Sequence, residues 1–357
     1  MTLDPTLTQW LDTHADALDG GTADPAGVLP RLAQAGLFRL GVPLAAGGAG
    51  GNTSDAIEAI AAVAGHSQTA AFVFWGQRVF IEYLLQSPNR ALAGRWMGAL
   101  LDGALAGATG LSNAMKFLGG IEALQVSVRD AAGGWRVDGT VPWATNLHPA
   151  GFAVAVAADN LSSGRPGVYA VPSTLPGVTR SDDLDLIGLR SSHTASVRFD
   201  AAALDAGWLL HEDAHQFLPC VRPAFLGLQC GLAIGLARRA ILAARGRADG
   251  ARSVLDDELD TLSAAVEAEA RRVAEGVDGG EFLAAPRALF GIRIRLVELA
   301  MAAVQLELQA RGGAAYLHAR NGGFARRWRE AAFLPIVTPS LVQLKTELAR
   351  QAQREAA

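Results

Sequence analysis

The 357-residue chain is poor in cysteine, tyrosine and methionine, with two, three and four respectively, and has no excess of positive charge. Cys220 and Cys230 fall in one apolar stretch. Two lone cysteines make no disulfide framework, so a reducing cytoplasmic setting is expected. A formal net charge of −4 leaves no basic stripe for a nucleic acid. The opening MTLDPTLTQW lacks the basic stretch and apolar core of a secretory leader. The longest apolar run, FLGLQCGLAIGLA, is too short to cross a bilayer and carries a glutamine, so no membrane partner is expected. What is present, 50% hydrophobic and 18% charged residues with 40 glycines, suits a globular protein with sizeable cores.

One short stretch looks like a metal site. HEDAH, residues 211–215, sets two histidines four apart with Glu212 beside the first, as in zinc proteases. A catalytic zinc needs a third protein ligand, and a long apolar segment follows His215 instead. The stretch also lies where the texture changes, where caps and turns call for Asp and His. The expectation is a polar junction and no metal.

Periodicity divides the chain in three. Residues 1–103 carry apolar positions at three-to-four spacing in DPTLTQWLDTHADAL, SDAIEAIAAVAGHS and TAAFVFWGQRVFIEYLL, so an N-terminal helical domain is expected. The glycine-rich GVPLAAGGAGG between them lacks the lysine of a phosphate loop and reads as a turn. Residues 104–212 switch to short runs such as EALQVSVRD, GWRVDGTVPW and GFAVAVAA, set apart by turn residues, which suggests an antiparallel β-barrel or sandwich. Residues 213–357 return to long amphipathic helices, expected to pack as a bundle.

Three stretches carry chemistry. In PWATN, residues 142–146, Trp143 offers a flat face and Thr145 a hydroxyl on the same strand face. GLRSSHTASVRFD, residues 188–200, is a strand behind a polar loop. QARGGAAY, residues 309–316, pairs Gly312 with Gly313, which allows close backbone approach.

Together these stretches resemble the acyl-CoA dehydrogenase family of flavoproteins. LAQAGLFRLGVPLAAGGAGG is similar to that family's "LA..GLF.L.VPEEYGG.G", PWATN to "WITN", GLRSSHTASVRFD to "G.R.S.T..V.F" and QARGGAAY to "Q..GG.GY". ALAGATGLSNAMK stands where the family has "A.TEP.AGSD", and ARRWREAAFLPIVTPS where it has "ER..RDA.I..IYEGTS". The resemblance implies a mainly α fold with a central β-barrel: an N-terminal helical domain, a middle antiparallel barrel and a C-terminal four-helix bundle. It also implies non-covalent FAD. Trp143 and Thr145 would flank the flavin ring, with Thr109, Leu111 and Ser112 on the preceding loop and Ser340 nearby. Arg247 would hold the pyrophosphate, and Gln309, Gly312 and Gly313 would reach the cofactor of a neighbouring subunit, so a homodimer or homotetramer is expected. The implied substrate is a small molecule, possibly acyl-CoA, and the redox partner an electron-transfer flavoprotein or a flavin reductase.

The departures concern the reaction. Thr338 stands at the family's usual catalytic glutamate, and Val221 at the alternative position on the first bundle helix. A neutral hydroxyl is no substitute for a carboxylate base near neutral pH. Glu330, the nearest acid in sequence, aligns with a structural aspartate and reads as a surface or ion-pair residue. The catalytic base is therefore unassigned. Three functions stay open: an acyl-CoA dehydrogenase-like FAD oxidoreductase acting on an acyl thioester or a related substrate, a reduced-flavin-dependent monooxygenase of the same fold with His318 or His148 near the oxygen chemistry, and a non-catalytic flavin-binding paralogue.

Overall fold

The computed structural model describes every residue except 248, 249, 321, 356 and 357. Five helices come first: α1 (Pro5–Gly20), α2 (Val28–Gln34), α3 (Thr53–Ala64), α4 (Gln68–Gln86) and α5 (Arg90–Leu101). The start of α1 is fixed by Asp4, whose carboxylate accepts from Thr6 N at 2.9 Å and Leu7 N at 3.2 Å, with Pro5 in the first turn. Its buried Leu7, Leu11, Ala15 and Leu18 follow the helical period. The α5 segment was not singled out from the sequence, although its buried Leu92, Trp96, Met97, Leu100 and Leu101 keep the same period.

The middle region holds β1 (Ala106–Thr109), α6 (Ser112–Leu118), β2 (Val126–Ala131), β3 (Gly134–Ala144), β4 (Phe152–Asn160), β5 (Gly167–Pro172), β6 (Val178–Arg180), β7 (Ala195–Leu204) and β8 (Leu209–His211). They form one sheet with the path β6-β7-β3-β2-β4-β5-β8, and β1 pairs β4 off that path. The expected closed antiparallel barrel is not what is found. β1 and β2 both run parallel to β4, and the sheet is mixed and open. Parallel pairing needs a crossover, and α6 with its flanking turns carries the chain from β1 to β2. The sequence reading missed it because ALAGATGLSNAMK is too short to show a period.

The chain ends in α7 (Ala214–Arg245), α8 (Asp256–Asp278), the short α9 (Glu281–Ala284), α10 (Pro286–Arg311), α11 (Phe324–Phe333) and α12 (Leu341–Glu355). The apolar run judged too short for a bilayer lies inside the 32-residue α7, which by length and hydropathy could cross one; 89% of its apolar window is buried against other elements. A glycine every four residues explains this closeness. A Cβ on Gly231 would sit 2.7 Å from Ile57 O, and one on Gly235 would run into Ala61 O, so α3 lies directly on the α7 backbone.

Buried polar groups join the layers where they meet. Gln77, fully buried in α4, accepts from Gly107 N of β1 at 2.7 Å and from Asn146 Nδ2 at 2.8 Å, and donates to Leu100 O and Leu105 O. Each of its polar atoms is used, which makes it a rigid bracket between the N-terminal helices and the turn after β3.

Candidate active site

A cleft of about 430 Å³ opens where the sheet, α4, α6 and α11 converge. Its sheet-side wall is the end of β3. The β3–β7 register shifts between Val141 and Ala144, and the one extra residue on β3 leaves Trp143 58% exposed on the cleft. Thr145 follows, buried, its hydroxyl donating to Ser192 O at 3.0 Å. Asn146 adopts a left-handed φ of 62° and donates from its backbone to the same carbonyl at 3.0 Å. Gly76 keeps that turn close, since a Cβ there would meet Thr145 Cγ2 at 3.1 Å.

The loop after β1 forms the adjoining wall. The Thr109 hydroxyl lies 2.8 Å from Tyr83 Oη and accepts from Leu111 N at 3.3 Å. Burial pushes the Tyr83 phenol far above its usual range, so it stays protonated and available as a donor. The opposite wall is aromatic. Phe72 stacks on Trp75 at 5.4 Å and takes the edge of Phe333 at 4.8 Å. Trp143, Ile187 and Ile336, exposed by 58, 84 and 68%, surround the opening with bare apolar surface.

The α11–α12 loop brings Thr338 into the lining. It is anchored from behind: Gln229 Nε2 donates to Thr338 O at 3.0 Å, and the fully buried Arg293 donates to Gln229 Oε1 at 2.8 Å and Leu334 O at 2.9 Å. Burial lowers the Arg293 guanidinium to about 10.

Among the described residues lining the cleft, Glu122 is the one carboxylate. It sits 2.7 Å from Lys116 Nζ, and that hydrogen bond holds its carboxyl below the usual range. Arg329 also lines the cleft, tied through Nε and Nη2 to Asp19 Oδ2 at 2.9 and 2.6 Å.

Thr109, Ser112, Trp143, Thr145 and Thr338 therefore meet in one cleft. Leu111 is buried beneath the loop rather than in the lining, and Ser340 caps α12, its hydroxyl accepting from Gln343 N at 3.2 Å. Arg247, at the end of α7, and Gln309, Gly312 and Gly313, at the end of α10, stand away from the cleft, all exposed except the half-buried Gly312. The histidine candidates also lie outside the lining. His318 is exposed and outside the lining. His148 packs its ring 4.8 Å from His193, behind the turn at Thr145, because the polypeptide turns away from the cleft after Asn146. Glu330 is wholly buried rather than on the surface, and the ion-pair alternative holds: Arg326 donates at 2.7 Å and Gln68 N at 3.2 Å. Val221 is buried in α7, and its neighbour Arg222 lies over the Phe290 ring, 3.9 Å from Glu347.

HEDAH resolves as a junction. His211 ends β8 and His215 belongs to α7, so they share no helical face, and Asp213 caps α7 by accepting from His215 N at 2.8 Å. No cluster of metal-ligating side chains occurs among the described residues.

No family model matches the chain. Among curated proteins, the mitochondrial short-chain specific acyl-CoA dehydrogenase of Rattus norvegicus is 25% identical over 240 residues, 66% of this chain and 56% of that protein. The Homo sapiens protein of that name is 26% identical over 227 residues, 61% of this chain and 54% of that protein. The chain thus spans about half the length of the curated relatives it matches. Solved structures align almost throughout. A glutaryl-coenzyme A dehydrogenase in complex with glutaryl-CoA has TM-score 0.82 at 17% identity, covering 97% of this chain and 94% of that one. A nitrososynthase from Micromonospora carbonacea var. africana has TM-score 0.77 at 23% identity, with the same coverage. KijD3 in complex with FMN and a dTDP-linked amino sugar has TM-score 0.76 at 20% identity, covering 98% and 91%. The chain is thus similar in sequence to acyl-CoA dehydrogenases over about two thirds of its length and shares their fold across nearly all of it.

Proposed function

We propose that the chain is a flavin-dependent oxidoreductase that uses reduced flavin and dioxygen, rather than a remover of α-protons from acyl thioesters. The flavin ring fits the cleft: bare apolar surface at Trp143, Ile187 and Ile336 wants a flat, largely apolar body. When bound, the flavin supplies the redox chemistry, and the protein supplies orientation and exclusion of water. Trp143 presents its indole face and Thr145 a hydroxyl oxygen with free lone pairs. The Phe72, Trp75 and Phe333 rings keep the substrate side dry. FAD is the flavin this reading assigns.

The observation that carries it is the lack of a poised carboxylate. Thr338, which lines the cleft and is held by Gln229, is the residue that the resemblance sets at the usual base position, and it carries no carboxylate. Glu122 is ion-paired and shifted toward weaker basicity, the wrong direction for proton abstraction. The likeness to nitrososynthase and to an FMN-bound KijD3 supports the same reading. The test is to reduce the flavin-loaded protein anaerobically, admit oxygen, and record the flavin spectrum with and without amine- or hydroxyl-bearing substrates. Oxygen-derived product coupled to flavin oxidation supports the proposal, and wholly uncoupled oxidation across the panel counts against it.

A second reading, dehydrogenation of an acyl thioester, is favoured by the curated relatives and by the aromatic wall. It requires Glu122 to leave Lys116, and Glu122→Gln then abolishes turnover. The same proposal includes a homodimer or homotetramer in which residues 309–316 reach a neighbour's cofactor. It also includes a flavin reductase or electron-transfer flavoprotein as electron source, and cytoplasmic residence.

A further inference from the structure

A second cavity, of about 310 Å³, lies at the other end of β3. Trp135 lines it, and Trp143 faces the cleft eight positions further on, about 26 Å along an extended strand. The two spaces therefore do not share a ligand.

The inner wall is aromatic. Trp135 and Tyr169 meet edge to face at 5.3 Å, and Leu209 adds an aliphatic patch. Tyr169 is 2% exposed, and its hydroxyl, which makes no hydrogen bond to a described residue, stays accessible at the cavity. Tyr169 lines the cavity, so its phenol can offer a hydrogen bond to a bound molecule. The absence of a side chain at Gly167 makes room for it, because a Cβ there would stand 2.9 Å from Tyr169 Oη. Burial first, and the Asp130 charge second, push the phenol up to about 12, so near neutral pH it keeps its proton and can donate.

The rim carries two charges of opposite sign. Arg165 and Glu212 both line the cavity and both are exposed, and neither forms an ion pair with the other or with any described residue. Glu212 is the acid of HEDAH, left over once Asp213 is assigned to the helix cap. A slot that sets the Trp135 and Tyr169 rings and Leu209 beside the polar Asn160 and Ser163, with opposite charges at its mouth, suits an amphipathic ligand. Its occupant has a flat ring, a polar atom at the far end of that ring, and a carboxylate and an ammonium at the near end.

We propose that this cavity binds a free aromatic α-amino acid with a para-hydroxyl group. The ring lies between Trp135 and Leu209, its hydroxyl meets Tyr169, its carboxylate meets Arg165 and its ammonium meets Glu212. The site is independent of the flavin cleft and of the reaction carried out there.

The test uses the full-length, flavin-loaded protein and three probes: L-tyrosine, tyramine, which lacks the carboxylate, and 3-(4-hydroxyphenyl)propionate, which lacks the ammonium. Isothermal titration is expected to give saturable L-tyrosine binding, with each truncated probe weaker by about ten-fold or more. Arg165→Gln should weaken L-tyrosine toward the level of tyramine while leaving tyramine unchanged. Glu212→Gln should do the same relative to the propionate. Both side chains are exposed, so folding is not at stake, and flavin affinity should stay as it was. Absence of saturable L-tyrosine binding, or wild-type affinity in both variants, overturns the proposal.

Discussion

Trp143 owes its position to a local irregularity, so its side chain can be removed at little cost to the fold. Trp143→Ala is expected to keep the thermal midpoint of the flavin-free protein and to weaken flavin binding by roughly ten-fold, the size of one aromatic stacking contact with its buried area. Quenching of flavin fluorescence on titration measures this, and an unchanged affinity would place the ring elsewhere. The His148–His193 pair gives a pH signature. Burial lowers His148 and pushes His193 from 6.5 to about 4, with Asp183 and Arg180 facing both and Asp24 acting on His148. A folded-state value below the ordinary one means that the unfolded chain takes up more protons in between. The stabilisation is therefore complete above about 6.5 and is lost as the pH falls toward 4. His193→Gln should flatten this acid-side loss, by on the order of 2 kcal/mol. Thermal midpoints measured across that window decide it, and an acid slope as steep as wild type contradicts the assignment.

Close packing of helices sets the next scale. α3 lies on α7 because Gly231 and Gly235 lack side chains, and a methyl on Gly235 would run into the Ala61 backbone and the Ala64 Cβ, neither of which can swing aside. Gly235→Ala should cost about 1–3 kcal/mol by overpacking, more than the helix propensity it gains. Gly94 of α5 is the control: exposed, helical and with nothing within reach of a Cβ, it should gain about 0.5–1 kcal/mol on change to alanine. Denaturant unfolding reads both, and the same sign for the two variants refutes the packing argument. GLQCGLAIG repeats glycine at every fourth residue, but a single sequence does not show which element that face meets. Helix existence was readable from period over α1, α3, α4, α7, α8 and α10. Short pieces were not: β1, β6, β8 and α6 carry too few residues for a period to emerge.

At the scale of the molecule, the helix–sheet–helix order was legible because periodicity changes twice along the chain. The state of the sheet was not, since alternation within a strand says nothing about closure, and the mixed open sheet took the place of the expected barrel. The cleft residues Trp143 and Thr145 stood out in a local motif, whereas Thr109, Ser112 and Thr338 were reached only through the resemblance. Gln77, Gln229 and Arg293, which hold those residues in place, were not. Gln229 acts 109 positions away on Thr338, and Gln77 acts 69 positions away on Asn146. Pairings at such separations leave no trace in a single sequence.

The central claim is that the cleft seats a flavin without a poised carboxylate beside the substrate. Anaerobic titration of the oxidised, flavin-loaded protein with acyl-CoA thioesters of graded chain length tests it most directly, read at the visible flavin band. The account predicts a band that shifts at most and never bleaches. Stoichiometric bleaching by any thioester in the series would contradict it.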